Sequence, residues 1–189
     1  MSRLPPVKTR RFTRVEYDRL VEQGFFGDER LELLDGLLVF KEPQGSRHAA
    51  VVGLVRVALE RAFGPRYHCR DHAPIALDRL SEPEPDVAVV PGRIEQYVDA
   101  HPAEPVLVVE VADSSLAKDR LRKSALYARA RLADYWVVNL VDEVLEVYRD
   151  PVRMPVGWRY KTVTLLRRGA TVRPLAAPRA RIRVRALLP

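Results

Sequence analysis

Apolar residues along the chain recur with two different periods, which predict two long helices and several buried strands. Residues 46–63 carry apolar side chains at helical spacing and are followed by Gly64, a common helix stop. A second helical pattern covers residues 115–131. Nearly continuous apolar runs at residues 85–90, 106–111 and 135–138 predict strands that are buried on both faces.

Shorter signals predict the remaining elements. Thr13 and Glu16 have capping-box spacing and open a short helix that ends at Gly24. Asp35-Gly36 separates two apolar runs and predicts a hairpin that carries Glu32. Further strands are predicted at residues 67–71, 74–78, 144–148, 162–166, 170–173 and 182–186. The residues expected to be buried in the first long helix are Val51, Val52, Leu54, Val55, Ala58, Leu59 and Ala62.

These elements predict an α/β fold, because strands and long helices alternate in its central part. We expect a mixed sheet of four or five strands flanked by the two long helices, with an added antiparallel hairpin and C-terminal strands. With 189 residues, the chain is expected to form a single domain over residues 12–189. Residues 1–11 contain Lys8, Arg10 and Arg11 without periodicity and are expected to be a basic N-terminal arm.

Composition limits the expected partners and the expected cellular compartment of the protein. The net charge of +7, carried mostly by arginine, suits a phosphate-rich partner, although base composition or a thermophilic source gives the same bias. Cys69 is the single cysteine, so no intramolecular disulfide is possible and a reducing cytoplasm is expected. No apolar run approaches the roughly 18 residues of a membrane span, so no membrane partner is expected. His68, Cys69 and His72 lack a second cluster of ligands that would close a zinc site.

Two of the predicted strands each carry a carboxylate at one end. If the runs 85–90 and 106–111 pair antiparallel with residue numbers that sum to 196, Asp86 lies opposite Glu110, with Cα atoms roughly 5 Å apart. Two ionised carboxylates at that separation repel by about 3 kcal/mol at an effective dielectric of about 20. The pair therefore requires a shared proton or a cation, and a hard metal ion is the simpler answer. In the following helix, Asp119, Lys123 and Tyr127 recur on one face.

These residues resemble the PD-(D/E)xK nuclease superfamily, in the variant whose lysine has moved from the strand to the following helix. Pro85-Asp86, Glu110-Val111-Ala112 and Lys123 carry the resemblance, and Ala112 stands where the superfamily lysine would be. The wider set that runs from Glu32-Leu33-Leu34-Asp35-Gly36 to Tyr135-Trp136 is similar to the bacterial Uma-type restriction endonuclease family. This set also includes His48, Ser114, Asp119 and Tyr127.

The resemblance implies a restriction-endonuclease-like core and a role for each residue. Asp86 and Glu110, with the backbone carbonyl of Val111, are expected to bind Mg²⁺ or Mn²⁺, because these ions prefer oxygen ligands. Lys123 is expected to stabilise charge on the phosphate or to orient the attacking water. Glu32 and His48 complete the expected catalytic set, in which they hold a water, another metal or the lysine. Asp119 is expected to orient Lys123, and Tyr127 to pack.

Other interpretations of the same residues remain open. Glu32 could face solvent in a half-buried strand, and His48 could be a surface or capping group. Asp86 and Glu110 could be unrelated strand-end carboxylates, with Lys123 paired to Asp119 on a solvated helix.

Three functions follow from these interpretations. The first is a metal-dependent endonuclease that hydrolyses DNA and acts as a homodimer, since two symmetric sites can address both strands. The second is a non-catalytic nucleic-acid or protein interaction module on a decayed nuclease scaffold. The third is metal-dependent chemistry on a small anionic substrate.

Overall fold

The computed structural model describes residues 9–188, so residues 1–8 of the expected arm lie outside the described part. Four α-helices lie within residues 9–188. They are α1 (Arg14–Glu22), α2 (Ser46–Phe63), α3 (Leu116–Lys118) and α4 (Ser124–Arg129). The longest, α2, begins and ends as the sequence pattern predicts. A π-helical turn, Asp119–Lys123, joins α3 to α4. Three short 3₁₀ turns lie at Gly64–Arg66, Ile94–Tyr97 and Val184–Ala186.

Strands β3 to β8 form one six-stranded sheet in the order β3-β4-β5-β6-β7-β8. All neighbouring pairs are antiparallel except β5 and β6, which are parallel and are connected through α3 and α4. The sheet strands are β3 (Tyr67–Asp71), β4 (Val87–Pro91), β5 (Leu107–Ala112), β6 (Asp134–Asn139), β7 (Val144–Arg153) and β8 (Trp158–Leu166). Two separate hairpins are formed by β1 (Leu31–Leu34) with β2 (Leu37–Phe40) and by β9 (Thr171–Val172) with β10 (Ile182–Arg183).

Local sequence signals explain the element ends. Thr13 and Glu16 form the expected capping box at the start of α1. Asp35 and Gly36 both have positive φ, as the tight turn between β1 and β2 requires. Gly64 also has positive φ and ends α2. These outcomes confirm the predicted hairpin and the predicted bounds of α2, whereas α1 ends at Glu22, two residues before Gly24.

The two faces of the sheet carry different core layers. On one face, α2 and the C-terminal residues pack against alternate strand residues such as Val87 and Val109. On the other face, α4 packs against Ala88, Val108 and a group of tyrosines. Strand alternation therefore decides which layer each polar strand residue reaches.

Several expectations are corrected by the structure. The sheet has six strands rather than four or five, because β3 and β8 extend it at both edges. Leu54 is 42% exposed, since the inward stripe of α2 follows Val51, Val55 and Leu59. Residues 74–78 form no strand, because Ile75 N–H donates to Pro83 O and Ala76 N–H to Pro102 O, two different segments.

The helical run after β5 is also less regular than predicted. The π-helical turn interrupts it, and its last helix ends at Arg129 rather than at residue 131. Such turns are found frequently at functional sites. None of the helices within residues 9–188 combines the length and the apolar character that crossing a membrane would require.

Candidate active site

The pairing of β4 with β5 brings the two predicted carboxylates to the same face of the sheet. Val87 pairs with Val109 and Ala88 with Val108, so the predicted register is confirmed. Asp86 directly precedes β4, and continuing the register places it opposite Glu110 in β5. Both residues are buried on the side of the sheet that faces α4.

Asp86 is surrounded by donors from three segments. Its Oδ2 atom accepts a hydrogen bond from Val111 N–H at 2.8 Å and lies 3.2 Å from His48 Nε2. Its Oδ1 atom accepts from Gln44 Nε2 at 3.2 Å and lies 3.6 Å from His72 Nδ1. The third residue of α2, His48, is thus held against the carboxylate rather than in solvent.

Lys123 is buried against the other carboxylates. Its Nζ atom lies 2.9 Å from Glu110 Oε1 and 3.3 Å from Glu32 Oε2. Tyr127 OH donates to the same Glu110 oxygen at 2.9 Å. Glu110 Oε2 accepts no hydrogen bond within residues 9–188, so one oxygen of this carboxylate is free of protein donors there.

Glu32 is a buried residue of the hairpin and not a solvent-facing one. Its Oε2 atom also accepts from Glu84 N–H at 3.2 Å, and its Oε1 atom lies 3.5 Å from Lys118 Nζ. The hairpin therefore brings a carboxylate from outside the main sheet to the lysine in the π-helical turn. Lys118 is the more exposed of the two lysines.

Asp119 lies in the same cavity but does not pair with Lys123. Its Oδ2 atom accepts from Ser115 Oγ at 2.6 Å, and its backbone carbonyl accepts from Tyr135 OH at 3.2 Å. The ion pairs of Lys123 within the described chain go to Glu32 and Glu110 instead. The i, i+4 spacing of Asp119 and Lys123 therefore gives no direct ion pair within residues 9–188, and the turn that holds both residues is π-helical.

The electrostatic environment shifts the pKa values of the two facing carboxylates, Glu110 and Asp86, in opposite directions. Burial raises the pKa of Glu110 to about 8, against the opposing attraction of Lys123. Burial also acts to raise the pKa of Asp86, but its hydrogen bond with His48 and the charge of Lys123 outweigh burial and hold that pKa below its usual value. Burial lowers the pKa of His48, whereas Asp86 and the Val111 backbone raise it, with a net upward shift. The pair thus favours one proton on Glu110 and a charged Asp86.

The remaining charged groups show the same competition. Burial acts to raise the pKa of Glu32, yet Lys123 and Lys118 lower it overall. Burial raises the pKa of Asp119. Burial opposes the charge on Lys123, but the surrounding carboxylates keep its pKa well above the ordinary value. A charged lysine therefore sits among more carboxylates than it can neutralise, and an additional cation would be stabilised there.

The sequence profile of the Uma2 family, described as "Putative restriction endonuclease", matches residues 14–185. The chain belongs to this family. A solved structure with a similar fold is described as "a putative nuclease belonging to DUF820 from Anabaena variabilis ATCC 29413". It is 16% identical, has a TM-score of 0.70, and the alignment covers 93% of this chain and 97% of the other. At this identity the likeness concerns the fold. No curated protein matches the sequence.

In this member of the Uma2 family, the polar side chains line one cavity of about 100 Å³. Asp86, Glu110, Lys123, His48 and Asp119 are among its lining residues. Glu32 reaches the same place through its contacts with Lys118 and Lys123. Tyr127 lies behind Glu110 in the core.

The donor set of the Uma2-family site fits a hard divalent ion. Within residues 9–188, no three His, Cys, Asp or Glu side chains form a metal-binding group. Mg²⁺ usually needs only one or two carboxylates and keeps several waters. Glu110 Oε2 has no protein donor in the described chain, and Asp86 Oδ1 accepts its hydrogen bond from an amide side chain that a cation could displace. The excess of carboxylates around Lys123 also favours a cation.

Three neighbours of the site were missed by the sequence interpretation. Gln44 and His72 contact Asp86, and Lys118 contacts Glu32. Gln44 lies in the loop before α2, and His72 follows β3 in a positive-φ conformation. No periodicity or motif marks Gln44. The positive-φ backbone of His72 was not foreseeable from its neighbours.

Proposed function

We propose that this protein is a metal-dependent endonuclease that hydrolyses phosphodiester bonds of DNA. The observation that carries the proposal is the burial of Asp86, Glu110 and Lys123 around one cavity. Two carboxylates and one lysine are the groups needed to hold a hard cation and to stabilise charge on a phosphate. Membership of a family described as restriction endonucleases supports the same reaction class.

Asp86 and Glu110, with the backbone carbonyl of Val111, would hold Mg²⁺ or Mn²⁺. When bound, such an ion lowers the pKa of a bound water and neutralises charge that develops on the phosphate. Val111 N–H and His48 both contact Oδ2 of Asp86 and so orient this carboxylate. Tyr127 OH donates to Oε1 of Glu110 and so orients this carboxylate, whose Oε2 atom would be available to hold the cation.

Lys123 has the role of a charge stabiliser. Its ammonium group donates to a non-bridging oxygen of the scissile phosphate or holds the attacking water, since its pKa keeps it protonated. Glu32 restrains the lysine through an ion pair at 3.3 Å. Asp119 adds a carboxylate to the rim and Ser115 positions it.

DNA is the proposed substrate and a homodimer the proposed assembly, because paired sites could cut both strands of a duplex. We propose the cytoplasm as the setting, in keeping with the free, buried thiol of Cys69. Sedimentation of the purified protein with and without duplex DNA tests the assembly.

The decisive experiment is a cleavage assay on supercoiled plasmid and on linear duplex with Mg²⁺ or Mn²⁺. We expect nicking or cutting that a chelator abolishes and that Asp86→Asn and Glu110→Gln each eliminate. Glu146→Gln is the matched control, because Glu146 is also a buried carboxylate of the sheet but pairs with Arg120 outside the cavity. This control variant should retain cleavage.

The alternative is an interaction module on a decayed nuclease scaffold. It replaces the proposal if the wild type is inactive on duplex and single-stranded DNA with both metals while binding DNA, and if the carboxylate variants bind equally well. Hydrolysis of a small phosphate ester without any action on DNA would instead favour a small anionic substrate.

A further inference from the structure

The positive charge of the chain is concentrated in its C-terminal fifth. Residues 154–189 contain nine basic residues and no acidic residue, whereas residues 1–153 contain 23 basic and 25 acidic residues. The part that forms the candidate active site is therefore slightly acidic as a whole. Because phosphates are attracted by positive charge, the C-terminal segment is a strong source of long-range attraction for DNA.

The C-terminal arginines are presented to solvent in a regular way. Arg181, Arg183 and Arg185 are exposed, while Ile182 and Val184 between them are buried in the core layer of α2. Burial of Ile182 and Val184 thus fixes the backbone of this segment, and the arginines that alternate with them are exposed to solvent. Within residues 9–188, these three arginines make no ion pair with a carboxylate, so their charge is not neutralised there.

A fourth arginine connects this segment with the candidate active site. Arg185 N–H donates to Arg168 O at 3.2 Å, so the two arginines are neighbours. Arg168 Nη1 lies 3.8 Å from Glu143 Oε2, and Arg47 Nη2 lies 3.5 Å from Glu143 Oε1. Arg47 directly precedes His48, which contacts Asp86. Glu143 is half-exposed and forms weak surface pairs that a phosphate could replace.

We propose that Arg168, Arg181, Arg183 and Arg185, here called the arginine track, form the surface that binds the phosphate backbone of duplex DNA. The arginine track leads past Glu143 to the first turn of α2 and so guides a strand toward the cavity. This inference rests on the proposed function in taking DNA as the partner. It adds that the binding surface lies on the C-terminal hairpin and 3₁₀ turn, remote from the metal ligands in sequence.

Anisotropy of a short fluorescein-labelled DNA duplex tests the arginine track in the presence of a chelator, so that no cleavage occurs. The variant is Arg181→Gln/Arg183→Gln/Arg185→Gln in the full chain. The matched control is Arg61→Gln/Arg66→Gln/Arg93→Gln, which removes the same charge from exposed arginines away from the first turn of α2. Loss of three phosphate contacts should reduce the slope of log K against log salt by about 2.7. The control should leave the slope within about one unit of the wild-type value.

Two further variants separate charge from folding. Arg181→Lys/Arg183→Lys/Arg185→Lys should keep most of the wild-type slope, because lysine retains the charge. The single variant Arg183→Gln should reduce the slope by about one, even if the triple variant folds poorly. The proposal would be overturned if the arginine-track variant and the control variant weakened DNA binding equally.

The outcomes for this surface and for the nuclease are distinguishable. Cleavage by the wild type, with a salt slope that the arginine-track variant leaves unchanged, would reject the surface alone. Loss of DNA binding in the arginine-track variant alone, with a wild type that never cleaves, would support the surface and reject the nuclease. If the wild type binds no DNA duplex even at low salt, the proposed binding surface is rejected. The cleavage assay then decides independently whether the protein is a nuclease.

Discussion

At the scale of single residues, Lys123 is the residue whose removal should disturb the candidate active site both structurally and chemically. It is buried and lies within ion-pair distance of both Glu110 and Glu32. Removing one partner of a buried ion pair leaves uncompensated charge, which is much more costly than losing a surface pair. The residue is thus tied both to the stability of the site and to its proposed chemistry.

Lys123→Ala should lower cleavage by on the order of 10² to 10³ while it spares Mn²⁺ binding measured by calorimetry. Urea unfolding without metal should show a loss of about 3 to 5 kcal/mol, and Mn²⁺ should recover part of it by replacing the missing charge. Lys118→Ala is the control, with an expected loss of about 1 kcal/mol or less, because Lys118 is more exposed and lies 3.5 Å from Glu32. Loss of Mn²⁺ binding in Lys123→Ala would contradict the division of roles.

At the scale of elements, the β1–β2 hairpin has a function beyond its own stability, because it carries Glu32 to Lys123. Its turn depends on Gly36, which has φ +75°. A Cβ atom at this position would lie 2.5 Å from Arg11 Cβ and 2.9 Å from Phe12 O. A side chain there is therefore excluded by both backbone conformation and space.

Gly36→Ala should reduce the free energy of unfolding by more than about 1 kcal/mol, because alanine is strained at positive φ. The displaced hairpin should also lower cleavage. Gly53→Ala is the matched control: Gly53 lies inside α2, with nothing within 4 Å of an added Cβ. It should stabilise the protein by about 0.5 to 1 kcal/mol. Equal effects of the two substitutions in urea unfolding would show that the turn geometry is unimportant.

At the scale of the whole molecule, the buried carboxylates couple folding to both protons and metal. The folded-state pKa of Glu110, about 8, is above its ordinary value of 4.5. A carboxyl with a raised pKa binds its proton more tightly in the folded state. Its contribution to stability is therefore greatest below pH 4.5 and is lost as the pH rises through 8.

Between pH 5 and pH 8, the free energy of unfolding of the wild type should fall by up to about 1.4 kcal/mol per pH unit in the steepest part. We expect Glu110→Gln to remove this decrease, because glutamine does not titrate. Mn²⁺ should stabilise the wild type increasingly over the same range, because metal and proton compete for Glu110. Thermal unfolding of wild type and variant across this pH series, with Mn²⁺ and with a chelator, provides the measurement. A wild-type Mn²⁺ effect that does not change with pH would exclude Glu110 as the competing group.

The local elements and one long-range register were predictable from the sequence. Capping residues, the Asp35-Gly36 turn and Gly64 mark element ends by backbone chemistry that acts within a few residues. The register of β4 with β5 was predictable from the polar residues and not from the apolar ones. Both strands are apolar on both faces, so burial alone does not select a register, whereas a one-residue slip would move Asp86 and Glu110 to different faces. The prediction of a strand at residues 74–78 was wrong, because its backbone N–H groups donate hydrogen bonds to carbonyl groups of two segments that are distant in sequence.

By itself, the sequence determined the α/β class, the bounds of α2, the β1–β2 hairpin and the presence of a carboxylate at the end of each of two strands, because periodicity and turn residues act locally. The alignment of those carboxylates followed only on the condition that the two strands pair antiparallel. The tertiary structure decided which donors reach those carboxylates. It brought Gln44 and His72 to Asp86 and placed Glu32 within ion-pair distance of Lys123. It also linked Arg168, through Glu143, to Arg47 at the start of α2. These contacts depend on packing between segments far apart in the chain, and a side chain's partner across such a distance has no local signal.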